Sequence, residues 1–311
     1  MTSTTLGSRH RTTPAALPRI ADGSTPPSAA KATTAASPQA RRAALKLTGL
    51  EASAKAAPSA SGAPAPRKGR LVAPGVRLAE LPSAAKADRV PPRDKTPLDP
   101  RFEGLAGKDL ILAIRESARE KSNLGYRPAR EAMFGSIDNH KGEVECVYTG
   151  RTVRTEGIPN ASGKNGMNAE HAWPQSKGVK KTPAKSDLHH LFPSNSVANS
   201  RRGNLPFGEV LGGLRWDDGG SRLGRNTSGE TVFEPRDTKK GDIARALFYI
   251  SAVYGLPLPK QEEATLRKWH EQDPPSTQEK IRTVRIGETQ GNMNPFVLHP
   301  ELVDRIPRFN G

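Results

Sequence analysis

No phenylalanine, tyrosine or tryptophan occurs before Phe102, and that gap limits where this chain can build a core. All fifteen aromatic residues fall in the last 210 positions. The first 100 residues are instead rich in Ala, Pro, Ser, Thr and Lys. They hold 16 Lys and Arg against 6 Asp and Glu, a net +10. Such a stretch buries too little apolar surface to offset its chain entropy, so residues 1–100 are expected to be a disordered basic tail. Its densest basic clusters are Arg41-Arg42 and Arg67-Lys68-Gly69-Arg70, with short helical stretches expected near Arg41–Lys55. A tail of this charge attracts polyanions without specificity. Residues 101–311 carry a net +6 and are long enough for one domain with a sizeable core.

Several classes are excluded at once. Cys146 is the only cysteine, so neither an intramolecular disulfide nor a cysteine-based zinc finger is available. The N-terminus lacks the apolar run of an ordinary secretory signal, so export would need another route or a different start. No run of 18 apolar residues exists, and no membrane span is expected.

Within 101–311 the pattern mixes helices and strands. Leu110, Ile111, Ile114 and Ala118 line one face of a helix over about Gly107–Lys121. Tyr126–Phe134 reads as a second helix, with Pro128 in its first turn. Lys141-Gly142 marks a turn into a strand over Glu143–Thr149, followed by a hairpin partner over Arg151–Thr155. Residues 156–168 read as loop, and Glu170–Trp173 as a strand end stopped by Pro174. Ser196–Arg201 fits a short helix capped by Ser194 or Asn195. Gly241–Tyr254 is the clearest helix, with Ile243, Leu247, Ile250 and Tyr254 on one face and Asp242 as its expected cap. Thr265–His270 and Thr277–Ile286 complete the helical set.

The chemistry concentrates between Asn168 and Val210. Glu170-His171 comes first, then Asp187-Leu188-His189-His190, then Asn199, Arg202 and Asn204. Lys177, Lys180, Lys181 and Lys185 lie between, with no acid among them over Ser176–Ser186. A carboxylate beside an imidazole, followed by a carboxamide, can hold a divalent cation and supply its own base, and the lysines suit an anionic substrate. Phosphodiester cleavage asks for those parts: a water must lose a proton, and charge on the phosphate and the leaving oxygen must be stabilised. Mg²⁺ keeps several waters, so one or two protein oxygens suffice. On an extended strand Glu170 and His171 point to opposite faces, so a bend is expected at the pair.

Glu170-His171-Ala172-Trp173-Pro174, Ser186-Asp187-Leu188-His189-His190-Leu191 and Asn199 through Arg202-Gly203-Asn204 resemble the endonuclease I family of bacterial non-specific nucleases. Tyr148-Thr149-Gly150, Pro206-Phe207-Gly208-Glu209, Phe233-Glu234-Pro235, Lys240 through Arg245 and Gly291-Asn292 through Phe296 extend the likeness in order over Leu105–Ile306. The resemblance implies an α+β fold with a ββα-metal (His-Me) finger surrounded by helices. It implies Glu170 and Asn199 as metal ligands, His171 as general base and Mg²⁺ as cofactor, replaceable by Mn²⁺ or Ca²⁺. It also implies non-specific cleavage of nucleic acid to 5′-phosphate and 3′-hydroxyl ends, with the choice between DNA and RNA left open, and secretion. A monomer is expected. Two departures stand out: the disulfides of many periplasmic members are absent, and no arginine occurs in Ala172–Ser186, where the family sets one on the phosphate.

The remaining residues are assigned by their chemistry. Arg202 is either a phosphate contact or an ion pair within the fold, and the four lysines are substrate contacts. Asp187 orients a histidine or backbone, His189 and His190 pack or support the site, Trp173 belongs to the core and Asn204 fixes a loop. Two other readings remain open: an inactive nucleic-acid-binding protein on the same fold, and a zinc hydrolase using His171, His189 and His190.

Overall fold

The computed structural model describes residues 97–163 and 165–309, with the backbone of two short strands, β1 (Leu71–Ala73) and β2 (Val76–Arg77). These two pair antiparallel across Pro74-Gly75, a turn signal in the sequence. The rest of the tail through residue 96, including the helical stretch expected near Arg41–Lys55, lies outside the described residues.

The chain then forms α1 (Gly107–Ser117) and α2 (Tyr126–Ala132), the latter running into a π turn over Met133–Ile137. β3 (Asn139–His140), β4 (Glu143–Glu145) and β5 (Thr152–Arg154) make an antiparallel sheet in that order. β6 (Met167–His171) pairs antiparallel with β7 (Leu191–Asn195), which leads directly into α3 (Ser196–Arg202). β8 (Gly212–Asp218), β9 (Ser221–Arg225) and β10 (Thr231–Glu234) form a second three-stranded sheet. Four helices follow: α4 (Lys240–Tyr254), α5 (Lys260–Gln272), α6 (Thr277–Gln290) and α7 (Pro295–Leu298). The architecture is α+β. No described helix is long and apolar enough to cross a membrane.

Helix α4 is the centre of the core. Every residue from Gly241 to Val253 is buried, so the helix is enclosed on all sides rather than on the single apolar face expected, with its polar residues paired inside the fold. α1, α5, α7 and the segment Leu188–His190 all pack against it. Each fully buried Leu, Ile or Phe contributes about 1.5–3 kcal/mol relative to exposure. Asp242 does not cap this helix. Its carboxylate accepts from Lys239 Nζ at 2.8 Å and lies 3.6 Å from Arg245, which pairs in turn with Glu279 at 2.6 Å. An acid placed beside two cations satisfies them rather than the helix N–H groups. Gly255, at φ 67°, closes the helix in a left-handed turn.

The strand expected over Glu143–Thr149 ends at Glu145. There the chain turns so that Gly150 N–H donates to Cys146 O, although Val144, Cys146 and Tyr148 are all buried as the alternation requires. Asn195, one of the two expected caps, takes that role: its Oδ1 accepts from Val197 N–H and Ala198 N–H.

One buried carboxylate joins four parts of this fold. Asp187 Oδ1 accepts from His189 N–H at 3.0 Å and Gln290 Nε2 at 2.9 Å. Its Oδ2 accepts from Tyr254 OH at 2.8 Å and Tyr249 OH at 3.2 Å, and pairs with Lys121 Nζ at 3.2 Å. Burial alone would raise this carboxyl, but Lys121, His189, His190 and the Gln290 amide outweigh burial and hold it well below the usual carboxylate range. A depressed carboxyl contributes stability that is present above its unfolded pKa and lost as pH falls below about 4. Replacing Asp187 by Ala should destabilise the protein by about 3–5 kcal/mol, because Lys121 is left buried and unpaired. Urea unfolding at pH 7 measures this, and the difference from wild type should shrink as the pH is lowered below about 4.

Candidate active site

The β6–β7 pair is regular through its end, with Glu170 opposite Phe192 and His171 opposite Leu191. The bend expected at Glu170-His171 is therefore not found in the pairing. The two side chains instead enter separate partner sets, and the strand stops just after them. Arg282 helps fix the opposite strand: it pairs with Asp138 at 2.8 Å, donates to Leu191 O, and lies 4.4 Å from the centre of the Phe192 ring.

Glu170 is 2% exposed. Tyr148 OH donates to its Oε1 at 2.8 Å, and Arg202 Nη1 lies 3.0 Å from the same atom. Burial raises the carboxyl above its ordinary value, although Arg202, Tyr148 and the His171 peptide N–H each pull it down. Both side-chain donors act on Oε1, which leaves Oε2 without one. Asn199, on the helix after β7, donates Nδ2 to Asn168 Oδ1 at 2.7 Å and to Ala169 O at 3.4 Å. Its carboxamide is thereby tied to the two residues preceding Glu170, and its Oδ1 carries no hydrogen bond among the described residues.

His171 sits on the other side of the strand end. Its Nε2 is 3.0 Å from Lys185 O, and a carbonyl only accepts, so the proton is on Nε2 and Nδ1 presents the lone pair. Gln175 Nε2 lies 3.3 Å from Nδ1, and the Tyr126 ring stands 5.4 Å away, centre to centre. Burial, then His190, lower this imidazole to about 3, so it is neutral around pH 7. Tyr126 is the residue that feels both halves of the pair, since the Glu170 charge reaches its hydroxyl as well.

The other expected residues separate by exposure. Lys177, Lys180 and Lys181 are exposed, and Lys185 is half-buried with Nζ 4.7 Å from the Tyr126 ring centre. Trp173 is buried, its indole N–H donating to Lys177 O. Asn204 is exposed, with no side-chain hydrogen bond among the described residues, so it does not fix a loop. His189 packs against Tyr249, its ring tilted at 56° and 4.5 Å away centre to centre, and bonds Asn292 O, while His190 bonds Ala184 O. Burial lowers both imidazoles to about 4. His171, His189 and His190 each bond a different carbonyl through Nε2, and they are not gathered into a zinc-holding cluster among the described residues. No group of three or more His, Cys, Asp or Glu is arranged to hold a metal among the described residues.

Arg202 takes the second of its two expected roles, an ion pair within the fold. It is 1% exposed and donates to His171 O at 3.1 Å and Ala172 O at 2.6 Å, besides pairing with Glu170 and lying over Phe207. Enclosed in this way, it cannot reach a phosphate and instead joins α3 to the end of β6.

Tyr148, Gln175, Asn168 and Tyr126 were missed as site residues. Tyr148 stands inside a motif that the sequence does display, but only the fold brings it to Glu170. It is held from behind by the β8–β9 hairpin, where Ser221 Oγ donates to Tyr148 O at 2.7 Å. The Gly219-Gly220 turn of that hairpin has φ 61° and 87°, and a Cβ on Gly219 would overlap the carbonyl oxygen of Thr149.

Residues 128–301 match the family model for Endonuclease I. The chain is 32% identical to an extracellular ribonuclease of Bacillus amyloliquefaciens over 80% of its own length and 93% of that protein. It is 30% identical to an extracellular ribonuclease of Bacillus subtilis (strain 168), covering 66% and 76% of the two chains. It is also 34% identical to an extracellular deoxyribonuclease of Aeromonas hydrophila, covering 71% and 93%.

If Arg202 neutralises a buried acid rather than a phosphate, Arg202→Met should cost about 3–5 kcal/mol of stability by leaving Glu170 uncompensated. The salt dependence of nucleic-acid binding should not change. Urea unfolding and a binding titration across a salt series check both halves; a stable variant with a shallower salt slope would overturn the assignment.

Proposed function

The chain belongs to the endonuclease I family, and from that premise we propose that it is a metal-dependent endonuclease that hydrolyses phosphodiester bonds in both RNA and DNA. The observation that carries the reading is the fixed tautomer of His171. Its Nε2–H is committed to Lys185 O, so a basic Nδ1 remains at a strand end that also bears Glu170, with Asn199 of α3 bonded to the two residues before it. The relatives named as ribonucleases and as deoxyribonucleases favour both substrates over one. Their names also favour secretion. The nuclease unit is taken as residues 101–311, with the ββα-metal finger formed by β6, β7 and α3, acting as a monomer.

The donor set suits a hard cation. Glu170 Oε2 and Asn199 Oδ1 are oxygens without side-chain donors, and a carboxylate raised by burial gains from a cation placed against it. Mg²⁺ asks for few protein oxygens and keeps its waters, which matches two ligands; Mn²⁺ or Ca²⁺ could take the same place. When bound, the ion supplies Lewis-acid stabilisation of the phosphate and the leaving oxygen.

His171 Nδ1 then removes a proton from a water as that water's oxygen bonds to phosphorus. The bond from phosphorus to the 3′ oxygen breaks. That oxygen leaves with the electron pair, takes a proton from solvent and becomes a 3′-hydroxyl, while the phosphate stays on the 5′ end. Gln175 orients the imidazole, Tyr148 and Arg202 keep Glu170 ionised, and Lys177, Lys180 and Lys181 present exposed charge to the nucleic-acid backbone.

Plasmid DNA and RNA should each be cut with Mg²⁺ and left intact with EDTA. His171→Ala should slow cleavage by about 10²–10⁴-fold while calorimetric Mg²⁺ binding persists. Glu170→Gln should weaken Mg²⁺ binding, with activity partly recovered at high metal. Near wild-type turnover by His171→Ala, or loss of metal binding in that variant alone, would reject the division of roles. An inactive wild-type protein that still binds nucleic acid would favour the non-catalytic reading.

A further inference from the structure

The two arginines of α2 have different surroundings. Arg127 Nε bonds Glu131 Oε1 at 2.9 Å, an exposed pair one turn apart. Arg130 is half-buried and has no hydrogen bond or ion pair among the described residues. Its Nε is buried and has no hydrogen-bond partner. Its Cζ stands 5.6 Å from the Tyr126 ring centre, and Lys185 Nζ stands 4.7 Å from the same centre. Lys185 likewise has no carboxylate against it. The ring they share is 5.4 Å from His171.

Two cations and the base are thus gathered around one aromatic ring, and no acid is free to neutralise them. Glu170, whose charge also reaches Tyr126, is already engaged by Tyr148 and Arg202. A cation over an aromatic face offsets only part of the cost of leaving a partly buried guanidinium unpaired. An anion placed between Arg130 and Lys185 would satisfy both. Beside a base that activates water, the anion of fitting chemistry is a phosphodiester.

We propose that Arg130, together with Lys185, binds the scissile phosphate and stabilises the charge that grows on its non-bridging oxygens. Arg130 supplies the planar donor fork and Lys185 a point charge. The inference rests on the phosphodiester-hydrolase reading and adds to it a residue from a helix outside the strand-pair motif. It also accounts for a stretch Ala172–Ser186 that holds lysines and no arginine: the guanidinium comes from α2.

The test uses the full chain carrying Arg130→Met, Arg130→Ala or Arg130→Lys, with RNA and duplex DNA as substrates. Removing a donor that acts on developing charge should lower kcat by about 10²–10³-fold, with a smaller change in KM. The thermal midpoint should stay near wild type. The slope of log affinity against log salt, measured on DNA in EDTA, should become shallower by about one. Millimolar methylguanidinium should restore part of the rate to Arg130→Ala, and Arg130→Lys should retain more activity than Arg130→Met. The proposal is overturned if Arg130→Met keeps kcat within about threefold of wild type. It is equally overturned if lost rate tracks a lowered thermal midpoint that neither methylguanidinium nor Arg130→Lys repairs. A wild type that cuts, with an Arg130→Met variant that cuts as well, rejects this inference alone; a wild type that cuts neither substrate with Mg²⁺, Mn²⁺ or Ca²⁺ rejects the hydrolase reading and this inference with it.

Discussion

A buried carboxylate must be given charged or donating partners to offset its burial, and the pairing of Glu170 with Arg202 and Tyr148 draws it back toward its ionised form. Arg202 comes from the helix that follows β7, and Tyr148 from the turn that follows β4. The acid therefore needs both elements closed against the end of β6. Arg202 also takes the carbonyls of His171 and Ala172, so the group that balances the acid positions the base's own backbone. The charge of Glu170, the backbone at His171 and Ala172 and the docking of α3 are all served by one guanidinium.

His171, the proposed base, is governed by a different logic. His171 is not paired with an acid; its tautomer is set by a neutral carbonyl, and burial keeps it uncharged. A carboxylate at Nε2 would raise the imidazole's pKa and, at the same time, compete for the cation nearby. Asp187, which the sequence sets close to the histidines, serves the packing instead, tying Lys121, Tyr249, Tyr254 and Gln290 around the central helix. Acids and imidazoles that alternate along the chain are thus sorted by the fold into one reactive set and one structural set.

Much of this was legible beforehand because it is local. The Asn195 cap, the apolar face of α1 and the Gly255 stop follow from spacing and residue type, and the order of the motifs brought Glu170, His171 and Asn199 together. What could not be read depends on long-range closure. Arg202 has the same composition whether it faces phosphate or protein, and only its burial decides. The extent of α4's apolar surround was hidden because Asp242, Arg245 and Ser251 look solvent-facing in sequence, although each is buried with a partner. Tyr148 carried no mark of contact with an acid 22 positions later.

The Gly219-Gly220 turn lies on the hairpin between β8 and β9, far in sequence from any reacting group. Its backbone passes so close to Thr149 that no side chain fits, and the adjoining Ser221 holds the carbonyl of Tyr148. The hairpin is therefore not free to drift as surface loops usually are. Over evolutionary time its tip inherits the mutational intolerance of the acid that Tyr148 supports, while the outer face of β8, where Leu214 is exposed, stays open to variation. Within a few residues, one ribbon carries both a position closed to change and positions where new surface contacts can arise without cost to the chemistry beneath.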